Sequence, residues 1–222
     1  GRVDETRTVI DGLRRPHGIA FGCTPPVRGT PDSERCRLFI AESNALAVYD
    51  YDLEHLRASN RQKLLDLPDS GHHWTKTLLH QFPMNGEERL LLSIGSSCNV
   101  CVERDARRGS VLEVSADGKM VRPFATGLRN AVFLATRPGT SDIWATEMGR
   151  DLLGDNLPPD EINIVRDGND YGWPFCFGKQ ERDPFSGKRK NTCGETTPSH
   201  IDLPAHSAPL GLAFVPDRGW PK

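Results

Sequence analysis

The sequence of 222 residues has no apolar run approaching the roughly 18 to 20 residues of a membrane-crossing helix, which excludes a span of that kind. It also lacks an excess of either charge. Its 30 acidic and 28 basic residues are mixed along the chain to a net charge of −2, leaving no electrostatic footprint for nucleic acid or anionic lipid. The local cluster Lys188-Arg189-Lys190 reads as a solvated loop rather than a phosphate reader. Long amphipathic helical patterns are missing, because 21 Gly and 17 Pro interrupt the chain. It begins at Gly1 with neither Met nor a signal sequence, so an export signal is expected to be absent or already removed.

What is present fits a soluble, all-β chain of many short elements. A hydrophobic fraction of 36% can fill the core of one domain, and 26% charged residues solubilise its surface. Six cysteines fall in local pairs: Cys23 with Cys36, Cys98 with Cys101, and Cys176 with Cys193. Even number and local pairing around Gly- and Pro-rich loops fit three disulfides and an oxidising compartment, periplasmic or secreted. For Cys98-Asn99-Val100-Cys101, a redox dithiol and half a zinc site remain rival readings. Haem attachment is ruled out because Val102 stands where His is needed, and no second pair supports zinc.

A three-part phrase recurs. Residues 12 to 21 turn into a strand that becomes apolar at Ile19 and Phe21, and a loop with Cys23, Pro25, Pro26 and Pro31 follows. Then come Leu38-Phe39-Ile40-Ala41-Glu42-Ser43 and the alternating Ala47-Val48-Tyr49-Asp50-Tyr51-Asp52. The phrase returns as Gly71-His72-His73-Trp74 into Leu78-Leu79, Leu91 to Ser96, and Ser110 to Val114, with Asp117-Gly118 as a hairpin turn. It returns again as Gly127-Leu128-Arg129-Asn130 into Ala131 to Leu134, Ile143 to Thr146, and Ile162 to Val165. A fourth opening runs from Ser207 to Phe214.

From His17 to His73 is 56 positions and from His73 to Asn130 is 57. A period of roughly 50 to 57 residues with three or four strands per unit predicts radial sheet repetition, a β-propeller. Such folds usually have about 4 to 8 blades, and this chain is long enough for fewer than four full units. The expectation is one propeller domain over 1–222, an incomplete fragment of about four blades that lacks its closing blades.

The polar phrase at the start of each unit would face the central channel. A His near a substrate hydroxyl can serve as a general base at neutral pH, which singles out His72 and His73; a satisfied structural His is the bland alternative. Arg129-Asn130, one unit later, offers a cation and an amide to a developing oxyanion, or else an inter-blade salt bridge. Around Gly149, backbone carbonyls could turn toward a hard cation such as Ca²⁺, with Asp151, Asp155, Asp160 and Glu161 nearby, although the spacing is not that of an EF-hand.

Five stretches taken together carry a resemblance. They are Gly127-Leu128-Arg129-Asn130-Ala131, Glu147-Met148-Gly149-Arg150-Asp151, Pro158-Pro159-Asp160-Glu161-Ile162-Asn163, Asp170-Tyr171-Gly172-Trp173-Pro174 and Ala205-His206-Ser207-Ala208-Pro209. In order and spacing they resemble the pyrroloquinoline quinone (PQQ)-dependent sugar dehydrogenases, in particular the L-sorbosone dehydrogenase branch related to soluble glucose dehydrogenase.

The resemblance implies a six-bladed propeller of the periplasm or cell exterior that holds PQQ and Ca²⁺ over its channel. It implies His73 as the general base, Arg129 and Asn130 beside the quinone oxygens, and His206 as a cofactor-facing polar residue. It further implies the backbone carbonyls of Gly149 and Arg150 on one calcium, and the Glu161 carboxylate with the Tyr171 backbone on a second, structural one. Arg150 stands where the family's best-studied members have Pro, and His72 where an acidic residue often orients the base. The basic residues that bind the cofactor's carboxylates in the family fall beyond Lys222.

The activity so implied is oxidation of an aldose or sorbosone-type sugar by base-assisted hydride transfer, with an external electron acceptor. A calcium-dependent propeller lactonase and a non-catalytic sugar- or protein-binding propeller are the alternatives.

Overall fold

The computed structural model describes residues 6–24, 35–81, 88–186 and 193–215. Pro25, Pro26, Pro31, the Lys188-Arg189-Lys190 cluster and the terminal Gly219-Trp220-Pro221-Lys222 lie outside them. Strands β1 (Gly18–Thr24), β2 (Arg35–Ala41), β3 (Ala45–Asp52) and β4 (Arg57–Asp66) form one antiparallel sheet in that order. β5 (Lys76–Gln81), β6 (Arg89–Ile94), β7 (Ser110–Ser115) and β8 (Val121–Thr126) form the second. The third contains β9 (Ala131–Thr136), β10 (Ile143–Glu147) and β11 (Asp160–Val165). The chain then makes a small hairpin, β12 (Cys176–Phe177) with β13 (Glu181–Arg182), before β14 (Ile201–Leu203) completes the third sheet beside β11.

The sheets stack as propeller blades, with the first strand of each against the first strand of the next: β1 against β5, and β5 against β9. Apolar side chains of adjacent sheets fill the space between them. Phe39, Leu46 and Val48 meet Leu90, Leu92 and Ile94, while Leu91 and Val111 meet Leu134, Ile143 and Val165. Polar bonds also cross the seam, from Ser93 Oγ to the Ala131 carbonyl at 2.6 Å and from Gln81 Nε2 to Thr136 Oγ1 at 2.8 Å. The other face of the first sheet is covered by Val9, Ile10 and Leu13 from the chain's beginning.

Ile19 and Phe21 mark β1 in the sequence, yet they are 59% and 50% exposed while Ala20 between them is buried. The inner face of β1 carries Gly18, Ala20 and Gly22 because β5 approaches too closely for larger groups. A Cβ on Gly18 would lie 2.7 Å from Leu78 Cβ. The Asp117-Gly118 turn forms as expected, with Gly118 at φ 74° donating its N–H to the Ser115 carbonyl at 2.8 Å. The Ser207 to Phe214 segment forms no strand; Phe214 instead packs edge-on against Trp144, with ring centroids 5.4 Å apart.

All three expected disulfides are present: Cys23–Cys36, Cys98–Cys101 and Cys176–Cys193. Cys23 and Cys36 are direct cross-strand partners on β1 and β2. Among the described residues no helix is long and apolar enough to cross a membrane.

Candidate functional site

The loops between strands meet at one end of the blades. Gly71, at φ 99°, lets its segment run against the β6–β7 loop, since a Cβ there would come within 2.6 Å of Ser97 Cα. The His72 N–H then reaches the Ser97 carbonyl at 3.0 Å and the His73 N–H reaches the Ser96 carbonyl at 3.3 Å. This places the His73 ring against Ser96, with Nδ1 3.0 Å from the Ser96 carbonyl and 2.9 Å from its Oγ.

The tautomer follows from these partners. Ser96 Oγ donates its own hydrogen to the Cys98 carbonyl at 2.7 Å, so toward His73 it can only accept. A carbonyl also only accepts. Nδ1 therefore carries the proton and Nε2 keeps its lone pair; among the described residues no hydrogen bond reaches Nε2. Burial first, and then the Arg129 cation, hold the imidazole down to about 4, so it is neutral at physiological pH.

His73 and Asn130 are brought side by side by Gly95. A Cβ on that glycine would sit 2.5 Å from Asn130 Oδ1 and 2.6 Å from His73 Cβ, so no side chain fits between them. Asn130 is buried, its N–H donating to Glu147 Oε1 at 2.9 Å and its Nδ2 lying 3.6 Å from Met148 Sδ.

Arg129 is also buried and almost fully engaged. Nε donates to the Asn99 carbonyl at 2.8 Å and Nη2 to Asn99 Oδ1 at 2.9 Å. Nη1 donates to the carbonyls of Met148 at 3.2 Å and Gly149 at 2.8 Å, and Asp151 Oδ2 lies 3.6 Å from Nη2. The guanidinium thus bridges the second and third blades and has one N–H left to offer.

The Gly149 carbonyl faces that guanidinium, which opposes a divalent cation at the same oxygen in this arrangement. Asp160, one of the carboxylates near it in sequence, is engaged elsewhere: it accepts the N–H groups of Gly149 and Ala208, each at 2.7 Å. The Arg150 side chain folds toward Asp183, with Nε 2.9 Å from Oδ2. His206 is exposed, at φ 63°, and its Nε2 lies 3.0 Å from the Gly154 carbonyl. No hydrogen bond among the described residues joins it to His73, Arg129 or Asn130.

Behind Arg129 lies a second cluster. Glu147 on β10 stands directly opposite Glu161 on β11, and both are buried. With Gly127, Arg129, Arg150, Tyr171 and Asp183 they line a cavity of about 20 Å³, enough for one small occupant. Glu161 accepts the Gly178 N–H at 2.6 Å and Asn163 Nδ2 at 2.9 Å, whereas Glu147 Oε2 is buried with no hydrogen-bond partner among the described residues. Burial drives the Glu147 carboxyl well above its ordinary range, and Glu161 adds to the shift. Two buried carboxylates opposite each other offer oxygens to a hard cation, in competition with Arg129 and Arg150, which line the same cavity.

The family comparison decides what this arrangement belongs to. The Glucose / Sorbosone dehydrogenase family matches residues 41–222. The chain belongs to that family.

Other relatives of this Glucose / Sorbosone dehydrogenase family chain share part of its sequence or its fold. An uncharacterised protein of Borreliella burgdorferi is 35% identical over 137 residues, covering 60% of the chain and 35% of that protein. The chain therefore spans about a third of that relative's length. Among solved structures it is similar to the holo PQQ domain of pyranose dehydrogenase from Coprinopsis cinerea, with a TM-score of 0.66, 18% identity, and coverage of 91% of this chain and 68% of that one. A calcium structure of the Trichoderma reesei family AA12 enzyme gives a TM-score of 0.67 at 17% identity, covering 92% and 71%. The soluble aldose sugar dehydrogenase of Escherichia coli, in its apo form, gives 0.56 at 16% identity, covering 90% and 75%. At these identities the structural likeness establishes the propeller fold.

The structure adds three residues that the sequence motifs do not single out for a role: Ser96 and Asn99, which hold His73 and Arg129, and Glu147, which faces Glu161. Ser and Asn beside Cys98 look like loop filler in sequence. Glu147 offered a signal, as a charged residue closing the apolar run Ile143 to Thr146.

Proposed function

We propose that this chain is part of a PQQ- and Ca²⁺-dependent sugar dehydrogenase that oxidises an aldose or sorbosone-type sugar and passes the electrons to an external acceptor. The observation that carries this reading is the His73 imidazole, with Nδ1–H held by Ser96 and Nε2 free of any hydrogen bond among the described residues, on a side chain whose Cβ lies next to Asn130 across Gly95. That is the state a general base needs before it takes a proton from a sugar hydroxyl.

The quinone, when bound, supplies the hydride acceptor. The chain's own residues do the rest. His73 Nε2 takes the hydroxyl proton, and Ser96 keeps the ring from turning. Asn130 fixes the wall against which the substrate would lie. Arg129 contributes positive potential and its remaining N–H to an anionic oxygen, not the two-pronged grip of a free guanidinium. An anion beside Arg129 would offset its charge and raise the basicity of His73.

Calcium fits Glu147, Glu161 and Tyr171, where it would neutralise two buried carboxylates. The fit at Gly149 and Arg150 requires Arg129 to release the Gly149 carbonyl. His206 would reach a cofactor only if its loop moved. A periplasmic or secreted location is supported by the three disulfides.

Dye reduction by the complete propeller of which this chain is part, supplied with PQQ, CaCl₂ and a panel of aldoses and sorbosone, tests the reading; the chain of 222 residues alone is expected to show weak or no activity. Sugar-dependent reduction that requires PQQ is expected. Lactone hydrolysis without PQQ, or sugar binding with no turnover, would point to the other two propeller functions.

A further inference from the structure

We propose that the disulfide-closed loop from Ser96 to Cys101 is the positioning element of the site, with Ser96 orienting His73 and Asn99 orienting Arg129. This rests on the reading of His73 as the base. Both contacts issue from one short turn between β6 and β7. Ser96 Oγ–H donates to the Cys98 carbonyl, which leaves Oγ as a second acceptor, beside the Ser96 carbonyl, for the His73 Nδ1–H. One residue on, Asn99 makes four bonds. Its carbonyl and Oδ1 accept from Arg129, Oδ1 also accepts the Asp151 N–H at 2.8 Å, and Nδ2 donates to the Asp151 carbonyl at 3.0 Å. The Ser96 N–H meets the Arg129 carbonyl at 2.7 Å, closing the connection between the two halves.

The Cys98–Cys101 bond spans the turn and limits how far the Cys98 carbonyl and Asn99 can move. It lies where a reductant can reach it: both of its cysteines are half-buried, whereas Cys176–Cys193 is buried at both ends and Cys23–Cys36 at one. Glu103 holds Ser97 by its N–H and by its hydroxyl, the latter at 2.8 Å. Glu103 Oε1 also lies 4.0 Å from Cys98 Sγ and 3.8 Å from Cys101 Sγ. In the disulfide these sulfurs carry no hydrogen. After reduction by a dithiol, the S–S bond is replaced by two S–H groups and the reductant closes its own disulfide; each new S–H then has a carboxylate acceptor beside it. The reduced loop is thus chemically satisfied but no longer tied across Asn99.

The test is ¹⁵N NMR of the His73 ring in the cofactor-free chain at neutral pH, in the wild type, in the Cys98→Ser/Cys101→Ser double variant and in Asn99→Ala. The two ring-nitrogen shifts report the tautomer directly. The wild type is expected to show Nδ1–H alone. The double variant should show exchange between tautomers, and Asn99→Ala should shift the Arg129 Nε–H resonance while leaving the disulfide in place. In dye reduction by the complete propeller, each variant should lose about tenfold or more in kcat with little change in KM. Unchanged His73 shifts in the double variant, together with an unchanged Arg129 resonance in Asn99→Ala, would overturn the proposal. A wild-type His73 protonated on Nε2 would instead overturn the base reading on which it stands.

Discussion

Glu147 and Glu161 face each other directly across β10 and β11, and both carboxylates are buried. Like charges in that position repel, and although Arg129 offsets part of that repulsion, burial still favours a proton on Glu147 or a cation shared by the pair. Calcium should therefore raise the melting temperature relative to EDTA. At a hundredfold excess over its Kd the gain would be about 2.7 kcal/mol. Glu147→Gln should remove most of that gain, and thermal denaturation with and without Ca²⁺ is the check.

The same pair sets a pH dependence in EDTA. The folded-state pKa of Glu147 lies above its unfolded value, so the native state binds the extra proton. Stability from this group is complete below the ordinary Glu range and falls as pH rises through the raised pKa. Urea denaturation across pH should show that decline in the wild type and a flatter curve in Glu147→Gln.

His73 has the opposite sign. Its folded pKa of about 4 lies below the unfolded value of 6.5, so between those values the unfolded chain binds more protons and stability falls as pH drops. Burial is the larger cause and Arg129 the next, so Arg129→Gln should move the His73 titration upward, toward 6.5. An NMR titration of the His73 ring in both proteins measures the shift.

Gly95 should tolerate no side chain. In Gly95→Ala the new methyl would occupy space held by Asn130 Oδ1 and His73 Cβ. The expected cost is about 1–3 kcal/mol in stability, with a disproportionate loss of kcat because both neighbours belong to the site. Chemical denaturation and dye reduction of the same variant separate the two effects.

The inner three strands of each blade are legible in sequence because packing between sheets demands apolar runs, as in Leu38 to Ile40 and Leu90 to Leu92. The outermost strand is not. β4 reads Arg-Ala-Ser-Asn-Arg-Gln-Lys-Leu-Leu-Asp, and most of its side chains face solvent, so its strand character lies in backbone pairing with β3. β14 is hidden for a different reason: a disulfide-bonded excursion separates it from β11, and only three residues pair.

His73, Arg129 and Asn130, singled out in the sequence as a candidate base and a cation-amide pair, lie at the same end of the blades, on either side of the Gly95 approach and the Ser96 to Asn99 loop. The residues alone leave His72 and His73 as equals and only the family resemblance chooses His73; the contact with Ser96 on a distant loop, which orients that ring, is not visible in the sequence. Arg129 shows a limit of motif reading. Its position is as expected at the blade junction, but its donors are spent on Asn99, Met148 and Gly149, which sequence spacing does not reveal.

The most direct test of the central claim is His73→Ala in the complete propeller supplied with PQQ, Ca²⁺ and a sugar substrate. Loss of a general base predicts a fall in dye-coupled kcat of about 10²–10⁴-fold, with PQQ binding by fluorescence titration largely retained. Turnover equal to the wild type, with PQQ bound, would contradict the account.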